Sequence, residues 1–175
     1  MGHGTRPVDE FLELLRSADV TRLVDVRTAP GSRRLPQFGR AALEASLEAA
    51  GVGYVWHQDL GGWRKASPDS PHSALRSPGF RGYADHMGSP EFDVAVNWLI
   101  RTSRQERTAI MCAESLWWRC HRRMVADALT ARGCTVFHLM SGAARQEHRI
   151  HPAARVVGSH LIYDVEAAEQ PELPA

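Results

Sequence analysis

The chain has 175 residues, 43% of them hydrophobic, and a formal net charge of +1. This length supports one compact core and leaves too few residues for two domains. The nearly balanced charge gives no sign of a polyanion-binding protein, and no apolar run reaches the roughly 18 residues of a membrane span. The 3 cysteines match no disulfide framework and no signal peptide opens the chain, so we expect a cytoplasmic protein.

The first half of the chain alternates helical and strand-like patterns. Apolar residues at helical spacing predict a first helix, with Asp9 and Glu10 in its favourable first turn. Gly51 is placed to end the second helix, and Pro90 to begin the third. A long stretch between them predicts an irregular loop, which in a compact domain is more often functional than idle. The predicted elements are a helix over 8–15, a strand over 23–27, a helix over 40–50, a strand over 53–60, a loop over 61–89 and a helix over 90–104.

The second half repeats the alternation and decides the fold class. Strands alternating with helices predict an α/β domain with a mainly parallel sheet flanked by helices. The chain starts with MGHGT where such a domain normally opens with a strand, so we expect the first strand to be missing or truncated. We expect a single domain over residues 1–165 and a flexible tail over residues 166–175. The elements predicted in this half are a strand over 108–114, a helix over 119–132, a strand over 135–140 and a last strand over 156–163.

Residues with chemical reactivity gather where the predicted strands end. In open α/β sheets, ligands bind outside the carboxyl ends of the strands, at the point where the strand order reverses. Residues that follow different strands are therefore expected to share one site. The residues that define this hypothesis are His3, Asp25, Arg27, Cys112, Glu114 and His138.

Cys112 is the candidate nucleophile of this site. It precedes a helix whose first turns carry Arg119, Cys120, His121 and Arg122. A helix N-terminus favours an anion, and together with nearby arginines it lowers the pKa of a thiol. The alternative is that Cys112 is a small buried apolar residue at a strand end, which is the commonest environment of cysteine.

Three mechanisms compete for this segment. A phosphatase- or rhodanese-like loop needs an arginine six positions after the cysteine and small residues between them, whereas here the arginine is seven positions on and two tryptophans intervene. Zinc held by Cys112, Cys120, His121 and His138 suits the residue types, but no Cys-x-x-Cys or His-x3-His pair is present. The third is a small-molecule or nucleotide site in which Glu114 and His121 exchange protons, arginines hold an anionic group and a tryptophan stacks on a ring.

Aromatic residues offer a stacking surface and an alternative function. Neighbouring helical residues point about 100° apart, so at most one of Trp117 and Trp118 fits the core and the other is a candidate stacking platform. Basic and aromatic residues interleave in FRGYADHM and GGWRK, a pattern that suits single-stranded nucleic acid and also an ordinary solvated loop. Because the chain as a whole is not basic, we expect sustained backbone binding to be weak.

The sequence resembles the domain-of-unknown-function 488 family over nearly its whole length. The resemblance rests on GHGTRPVDEFLELL, LVDVRTAPGSRRLPQF, CAESLWWRCHRR and VFHLM, and its core is Cys-Ala-Glu at 112–114 followed by Cys-His-Arg at 120–122. FRGYADHM and the Trp-Trp-Arg insert indicate one branch of the family. Other branches often have an Asp-Pro turn where this chain has Leu116 and Trp117, so a role tied to that turn does not transfer. The resemblance implies a single Rossmann-like α/β domain, and the family name assigns no activity.

Together these observations predict an enzyme-like domain that binds a small anionic or nucleotide-like ligand at the carboxyl ends of its strands. Cys112 and Glu114 form the reactive pair and His121 carries protons, while Arg27 and Arg122 hold the anion. We expect no cofactor and no resident metal. The alternative is a nucleic-acid or protein interaction module, with the arginine-aromatic loops as its surface and the Cys-His-Arg cluster as scaffold. The remaining predicted ligand contacts are His3, Asp25 and Trp117.

Overall fold

A three-stranded parallel sheet with helices on both faces forms the centre of the structure. The computed structural model describes residues 1–31, 33–141 and 144–165. The α-helices within these residues are α1 (Val8–Arg16), α2 (Arg40–Ala49), α3 (Pro78–Met87), α4 (Pro90–Gln105) and α5 (Arg122–Ala131).

The described strands divide between the central sheet and two hairpins. The sheet has the order β2-β1-β3 and is parallel throughout. Asp25 at the end of β1 pairs with Trp56 on one side and with Met111 on the other, so the three strands end together. The hairpins are antiparallel and join β4 to β5 and β6 to β7. The strands are β1 (Arg22–Asp25), β2 (Gly53–Trp56), β3 (Thr108–Met111), β4 (Phe137–Leu139), β5 (Arg145–Glu147), β6 (Ala154–Val157) and β7 (His160–Tyr163).

The two faces of the sheet carry separate apolar cores. On one face, Leu23 belongs to the cluster that holds Phe11 of α1 and the buried leucines of α2. On the other face, Val24 belongs to the cluster that holds Leu99 of α4 and Val125 of α5. Successive residues of a strand point to opposite faces, so β1 contributes to both cores. Burial on both faces leaves the strand ends as the accessible edge of this layered structure.

Local sequence signals set the ends of the helices as predicted. The hydroxyl of Ser89 accepts a hydrogen bond from the backbone N–H of Phe92 at 3.2 Å, and Pro90 follows at the first helical position of α4. Gly51 and Gly133 take positive φ values of 72° and 81° just beyond α2 and α5. This left-handed conformation favours glycine and ends a helix.

Three predictions of local structure are wrong. The stretch 61–89 is not irregular throughout, because α3 occupies 10 of its residues. Helix α5 begins at Arg122 instead of Arg119, since a 3-10 turn at Trp117–Arg119 precedes it. The predicted last strand is a hairpin, because Gly158 takes a φ of 62° and reverses the chain between β6 and β7.

Strand β4 does not extend the parallel sheet, although the alternation of elements favours that position. The outer edge of β3 is taken by the first residues of the chain. The N–H of His3 donates to the carbonyl of Cys112 at 3.1 Å, and Gly2 forms a parallel bridge with Cys112. Strand β4 therefore pairs with β5 alone. The expected first strand is represented by this single bridge.

No helix within residues 1–31, 33–141 and 144–165 combines the length and apolar character needed to cross a membrane. The predicted tail, residues 166–175, lies outside the described residues.

A buried polar network joins α5 to the two hairpins. The carboxylate of Asp127 accepts hydrogen bonds from Nε2 of His148 and from the hydroxyl of Tyr163, each at 2.8 Å. Nδ1 of His148 lies 2.9 Å from Nε2 of His138. The His138 ring stacks on Trp117 with 3.8 Å between the ring centroids. His138 therefore serves internal packing, although the sequence places it near the candidate site.

Acid is expected to destabilise the protein through His138. Burial, and then the neighbouring His148, lower the pKa of His138 from 6.5 to about 3, so the folded state keeps this ring neutral. The unfolded chain binds the extra proton between these two values, so stability falls as the pH drops from about 6.5 towards 3. We expect this residue to cost about 1 to 2 kcal/mol of unfolding free energy between about pH 7 and pH 5, measured by urea denaturation.

The matched variants are His138→Gln and His160→Gln. Glutamine at position 138 keeps an N–H donor for His148. This variant should lose less unfolding free energy than the wild type when the pH is lowered. His160 is exposed on β7 and lies 3.9 Å from Asp93; such a surface pair is worth about 1 kcal/mol or less, so its replacement should change the pH dependence much less. A pH profile that is the same in His138→Gln and in the wild type would contradict this origin.

Candidate functional site

An open cavity of about 1040 Å³ lies at the carboxyl ends of β1 and β3. The connection after β1 leads to α2 on one face of the sheet, and the segment after β3 leads to α5 on the other face. This divergence marks the reversal point at which open α/β sheets hold ligands. The cavity is lined by residues 3–5 and 62–63 and by parts of 27–35, 77–80 and 112–121.

Two thiols and an imidazole meet at this cavity and form a cluster of Cys112, Cys120 and His121. Their sulfur and ring nitrogen atoms all lie within 4.8 Å of one another, and Sγ of Cys120 is 3.5 Å from Nδ1 of His121. Nε2 of His121 lies 3.0 Å from the carbonyl oxygen of Val26. A carbonyl can only accept, so Nε2 carries a proton, and Nδ1 is the ring nitrogen that faces the sulfurs. A Cβ at Gly62 would overlap Nδ1, so glycine keeps the ring accessible.

Arg122 lies directly behind this cluster. Its side chain is 1% exposed, its Nη2 donates to the carbonyl oxygen of Glu114, and its Nε donates to Sγ of Cys120 at 3.3 Å. Among the described residues, no carboxylate pairs with this guanidinium. A buried charge needs a partner of opposite sign. The sulfur of Cys120 is the group positioned to carry that negative charge.

The two thiols differ in acidity. Interaction with the Cys112 thiol is the largest cause that lowers the pKa of Cys120, and His121 and Arg122 lower it further. The same interaction, together with burial, raises the pKa of Cys112. Cys112, the predicted nucleophile, lines the cavity half-buried, and its surroundings favour the neutral thiol. The contacts that favour a thiolate converge on Cys120.

His3 forms part of the cavity wall. Its ring stacks on Phe38 with 4.2 Å between centroids, and its Nδ1 donates to the carbonyl oxygen of Gly4 at 2.9 Å. Nε2 is buried and has no hydrogen-bond partner among the described residues. Burial lowers the pKa of His3, so Nε2 is an acceptor with an unused lone pair. This atom suits a hydrogen-bond donor on a ligand.

Asp25 and Arg27 form a buried ion pair at the end of β1. Nη2 of Arg27 lies 2.5 Å from Oδ2 of Asp25, and Nε contacts both carboxylate oxygens. Nη1 donates to the carbonyl of Phe38 at 2.8 Å, and the hydroxyl of Tyr54 donates to Oδ2 of Asp25 at 2.8 Å. Arg27 lines the cavity, but each of its guanidinium nitrogens already has a protein partner. Its geometry is that of a structural arginine.

The eight predicted site residues thus divide into three groups. Asp25 and Arg122 lie behind the cavity wall, fully buried, and contact the residues that line it. The side chain of Trp117 does not line the cavity, because its ring stacks on His138. Glu114 is exposed at the cavity, and its Oε1 accepts from the backbone N–H of Leu116 at 3.1 Å. The predicted residues that line the cavity are His3, Arg27, Cys112, Glu114 and His121.

Several residues that line the cavity are missing from the predicted set, among them Cys120 of the cluster and three exposed side chains. Arg34 and Arg119 are exposed at the cavity and take part in no ion pair among the described residues. Trp63 is 82% exposed there and offers the aromatic surface that was predicted for Trp117. The sequence signals are the arginine pair in PGSRRLPQFG and the tryptophan in GGWRK, but sequence spacing alone does not reveal that these loops meet.

Removing the charge of Asp25 is expected to destabilise the fold strongly. Asp25→Asn leaves Arg27 buried without a counter-charge, which should cost about 3 to 5 kcal/mol of unfolding free energy. The control is Glu106→Gln, which breaks the ion pair to Arg22 at 3.0 Å between side chains that are 34% and 29% exposed. A pair that is partly open to solvent is worth about 1 kcal/mol, much less than a fully buried one. Urea denaturation of both variants measures the contrast, and equal losses would contradict the structural role of Asp25.

A family model described as "Domain of unknown function DUF488" matches residues 7–129 of the chain. The matched range contains the central sheet and the cluster of Cys112, Cys120 and His121, while His3 and the two hairpins lie outside it. The match confirms the resemblance seen in the sequence. No curated protein and no solved structure matches the chain.

Proposed function

The chain belongs to the DUF488 family, and we propose that it is an enzyme-like domain that binds a small anionic, nucleotide-like ligand in the cavity. The observation that carries this proposal is the meeting of exposed arginines with the cluster of thiols and imidazole in one cavity at the strand ends. Cys112, Glu114 and His121 line the same cavity and supply its reactive groups.

Positive electrostatic potential at the cavity supports an anionic ligand. Arg34 and Arg119 contribute two charges that have no acidic partner among the described residues. Helix α3 directs its N-terminus to the same space, since Ser77, Gly79 and Phe80 line the cavity. The first turn of a helix leaves backbone N–H groups without intrahelical acceptors, and these bind phosphate or carboxylate. Glu114 is the acidic residue that faces these charges across the lining.

An exposed aromatic ring supports a ligand that also carries a planar group. Trp63 is 82% exposed at the cavity, which is unusual for so large an apolar side chain unless it serves a contact. Stacking of a base on such a ring contributes about 1 to 3 kcal/mol. Nε2 of His3, which is buried and has no partner within the described part of the chain, adds a hydrogen-bond acceptor in the cavity wall for a donor group of a base or ribose.

The alternative function, an interaction module, has less surface available to it. The hydroxyl of Tyr83 is fully buried and donates to the carbonyl of Leu60 at 3.0 Å. Nε2 of His86 lies 2.6 Å from the carbonyl of Asp59, and Arg64 donates to backbone carbonyls. These internal contacts occupy Tyr83, His86 and Arg64, which are three of the residues that this alternative would need on the surface.

We propose in addition a type of domain and a cellular setting for the chain. We take residues 1–165 as a single domain of Rossmann-like type, supported by a parallel sheet covered on both faces and by a cavity at the reversal of strand order. A reducing, cytoplasmic setting fits three cysteines that are all free thiols.

Loss of a cavity arginine is expected to weaken anion binding. Arg119→Ala and Arg34→Ala should each weaken the binding of adenosine monophosphate and of inorganic phosphate about tenfold, since one charge-assisted contact is worth roughly 1.5 kcal/mol or more. Isothermal titration calorimetry at low salt measures both ligands. Arg101→Ala, an exposed arginine on α4, is the matched control and should bind as the wild type does. Absence of binding in the wild type, or an equal effect of all three variants, would contradict the proposal.

Trp63→Ala is expected to distinguish binding of the planar group of the ligand from binding of its anionic group. The substitution should weaken the binding of adenosine monophosphate about tenfold, because stacking is lost, and should leave the binding of inorganic phosphate unchanged. Trp63→Phe, which keeps a ring, should recover most of the loss. If both ligands weaken equally in Trp63→Ala, the ring does not contact a base and the ligand is a simple anion.

A further inference from the structure

We propose that Cys112, Cys120 and His121 bind a divalent transition metal ion, with zinc as the best match, and leave one coordination position open to the cavity. Two thiolates and one imidazole form a donor set that suits zinc. Three protein ligands with an open fourth position are the arrangement of catalytic rather than structural zinc. Binding of the metal stands on the geometry of the cluster, whereas its use in a reaction rests on the proposed function.

The spacing of the donor atoms fits a tetrahedral ion. Zinc lies about 2.3 Å from a thiolate sulfur and about 2.0 to 2.1 Å from an imidazole nitrogen, so a tetrahedral angle places sulfur and nitrogen about 3.6 Å apart. Sγ of Cys120 and Nδ1 of His121 are 3.5 Å apart. The sulfur of Cys112 completes a set of three atoms that lie within 4.8 Å of one another. Small side-chain rotations would bring the three donor atoms to the distances of a tetrahedral ion.

The imidazole is already oriented for coordination. The carbonyl of Val26 accepts the proton of Nε2 at 3.0 Å, which directs the lone pair of Nδ1 towards the two sulfurs. Metal-binding histidines commonly donate their second ring N–H to a carbonyl or carboxylate, because this fixes the tautomer and the ring plane. Val26 holds this position rigidly, since it is fully buried at the end of β1.

The surroundings of the sulfurs support bound thiolates and keep the site open. Nε of Arg122 donates to Sγ of Cys120 at 3.3 Å, and its positive charge offsets the negative charge of two thiolates. Gly62 leaves the space beside His121 free of any side chain. All three donor residues line the cavity, so the fourth position faces the space in which the anionic ligand is proposed to bind.

A closed, four-ligand site is not the geometry found. His138, the fourth ligand considered from the sequence, is held by His148 at 2.9 Å and stacks on Trp117. Glu114 also lines the cavity but is not part of the donor cluster, and the oxygen that does not accept from Leu116 can exchange a proton with a group at the open position. The arrangement therefore separates the metal ligands from the group that would carry protons.

Cobalt substitution of the full chain tests the metal site without an assay of activity. The protein is treated with a chelator and titrated with Co²⁺ under reducing conditions. We expect one ion per chain and an intense near-ultraviolet sulfur-to-cobalt charge-transfer band. Cys112→Ser and Cys120→Ser should each weaken Co²⁺ binding by at least about 100-fold, since even outer-shell changes cost 10- to 100-fold. Cys134→Ser removes the third cysteine, which lies outside the cluster, and should behave as the wild type.

Thermal unfolding keeps the test informative if a variant folds poorly. Zn²⁺ should raise the melting temperature of the wild type and of Cys134→Ser, and should not raise that of Cys112→Ser, whose far-ultraviolet circular dichroism should match the wild type. Absence of a sulfur charge-transfer band, or equal binding by Cys112→Ser, would overturn the metal site.

Phosphate titration separates this inference from the proposed function. The metal-free protein is titrated with inorganic phosphate in parallel with the Co²⁺ experiment. Binding of Co²⁺ without binding of phosphate or adenosine monophosphate would support the metal site and contradict the anion cavity. Binding of phosphate without the cobalt band would support the anion cavity and overturn the metal site.

Discussion

The candidate site depends on one buried charge, the guanidinium of Arg122. With no carboxylate partner among the described residues, it must be surrounded by electron-rich atoms, and the carbonyl of Glu114 and the sulfur of Cys120 provide them. Leaving a buried charge without partners costs several kcal/mol, which is sufficient to fix the path of the segment between β3 and α5. Gly2 shows how tightly this region packs, since a Cβ there would overlap the carbonyl of Glu114.

The same requirement separates structural arginines from those available to a ligand. Arg27 and Arg122 are both buried next to the cavity, and the Nε atom of each holds Asp25 or Cys120 in place. The arginines exposed at the cavity have no such partners among the described residues, so they can exchange solvent for an anion. One residue type thus serves two roles, and burial decides which. The buried pairs hold the strand-end loops, and the exposed charges give those loops their affinity for anions.

Periodicity in the sequence predicts the α/β class and the edge of the sheet that carries the site, because parallel strands must place their carboxyl ends together. It does not predict how loops fold over that edge. The aromatic surface at the cavity was therefore predicted for Trp117, whereas Trp63 provides it. The 3-10 turn that turns Trp117 away also returns Cys120 to the neighbourhood of Cys112. Motif spacing disfavours zinc because no Cys-x-x-Cys pair exists, yet the tertiary path brings the donors together. Sequence rules for metal sites describe local turns, and here the site is assembled across a longer segment.

X-ray absorption spectroscopy at the zinc edge of the zinc-loaded protein tests most directly whether the two thiols and the imidazole act as one centre. The account predicts two sulfur atoms at about 2.3 Å, one nitrogen at about 2.0 to 2.1 Å, and a fourth light atom from solvent or ligand. A spectrum with no sulfur around zinc, or with a single sulfur, would contradict the assembly of Cys112, Cys120 and His121 into one site.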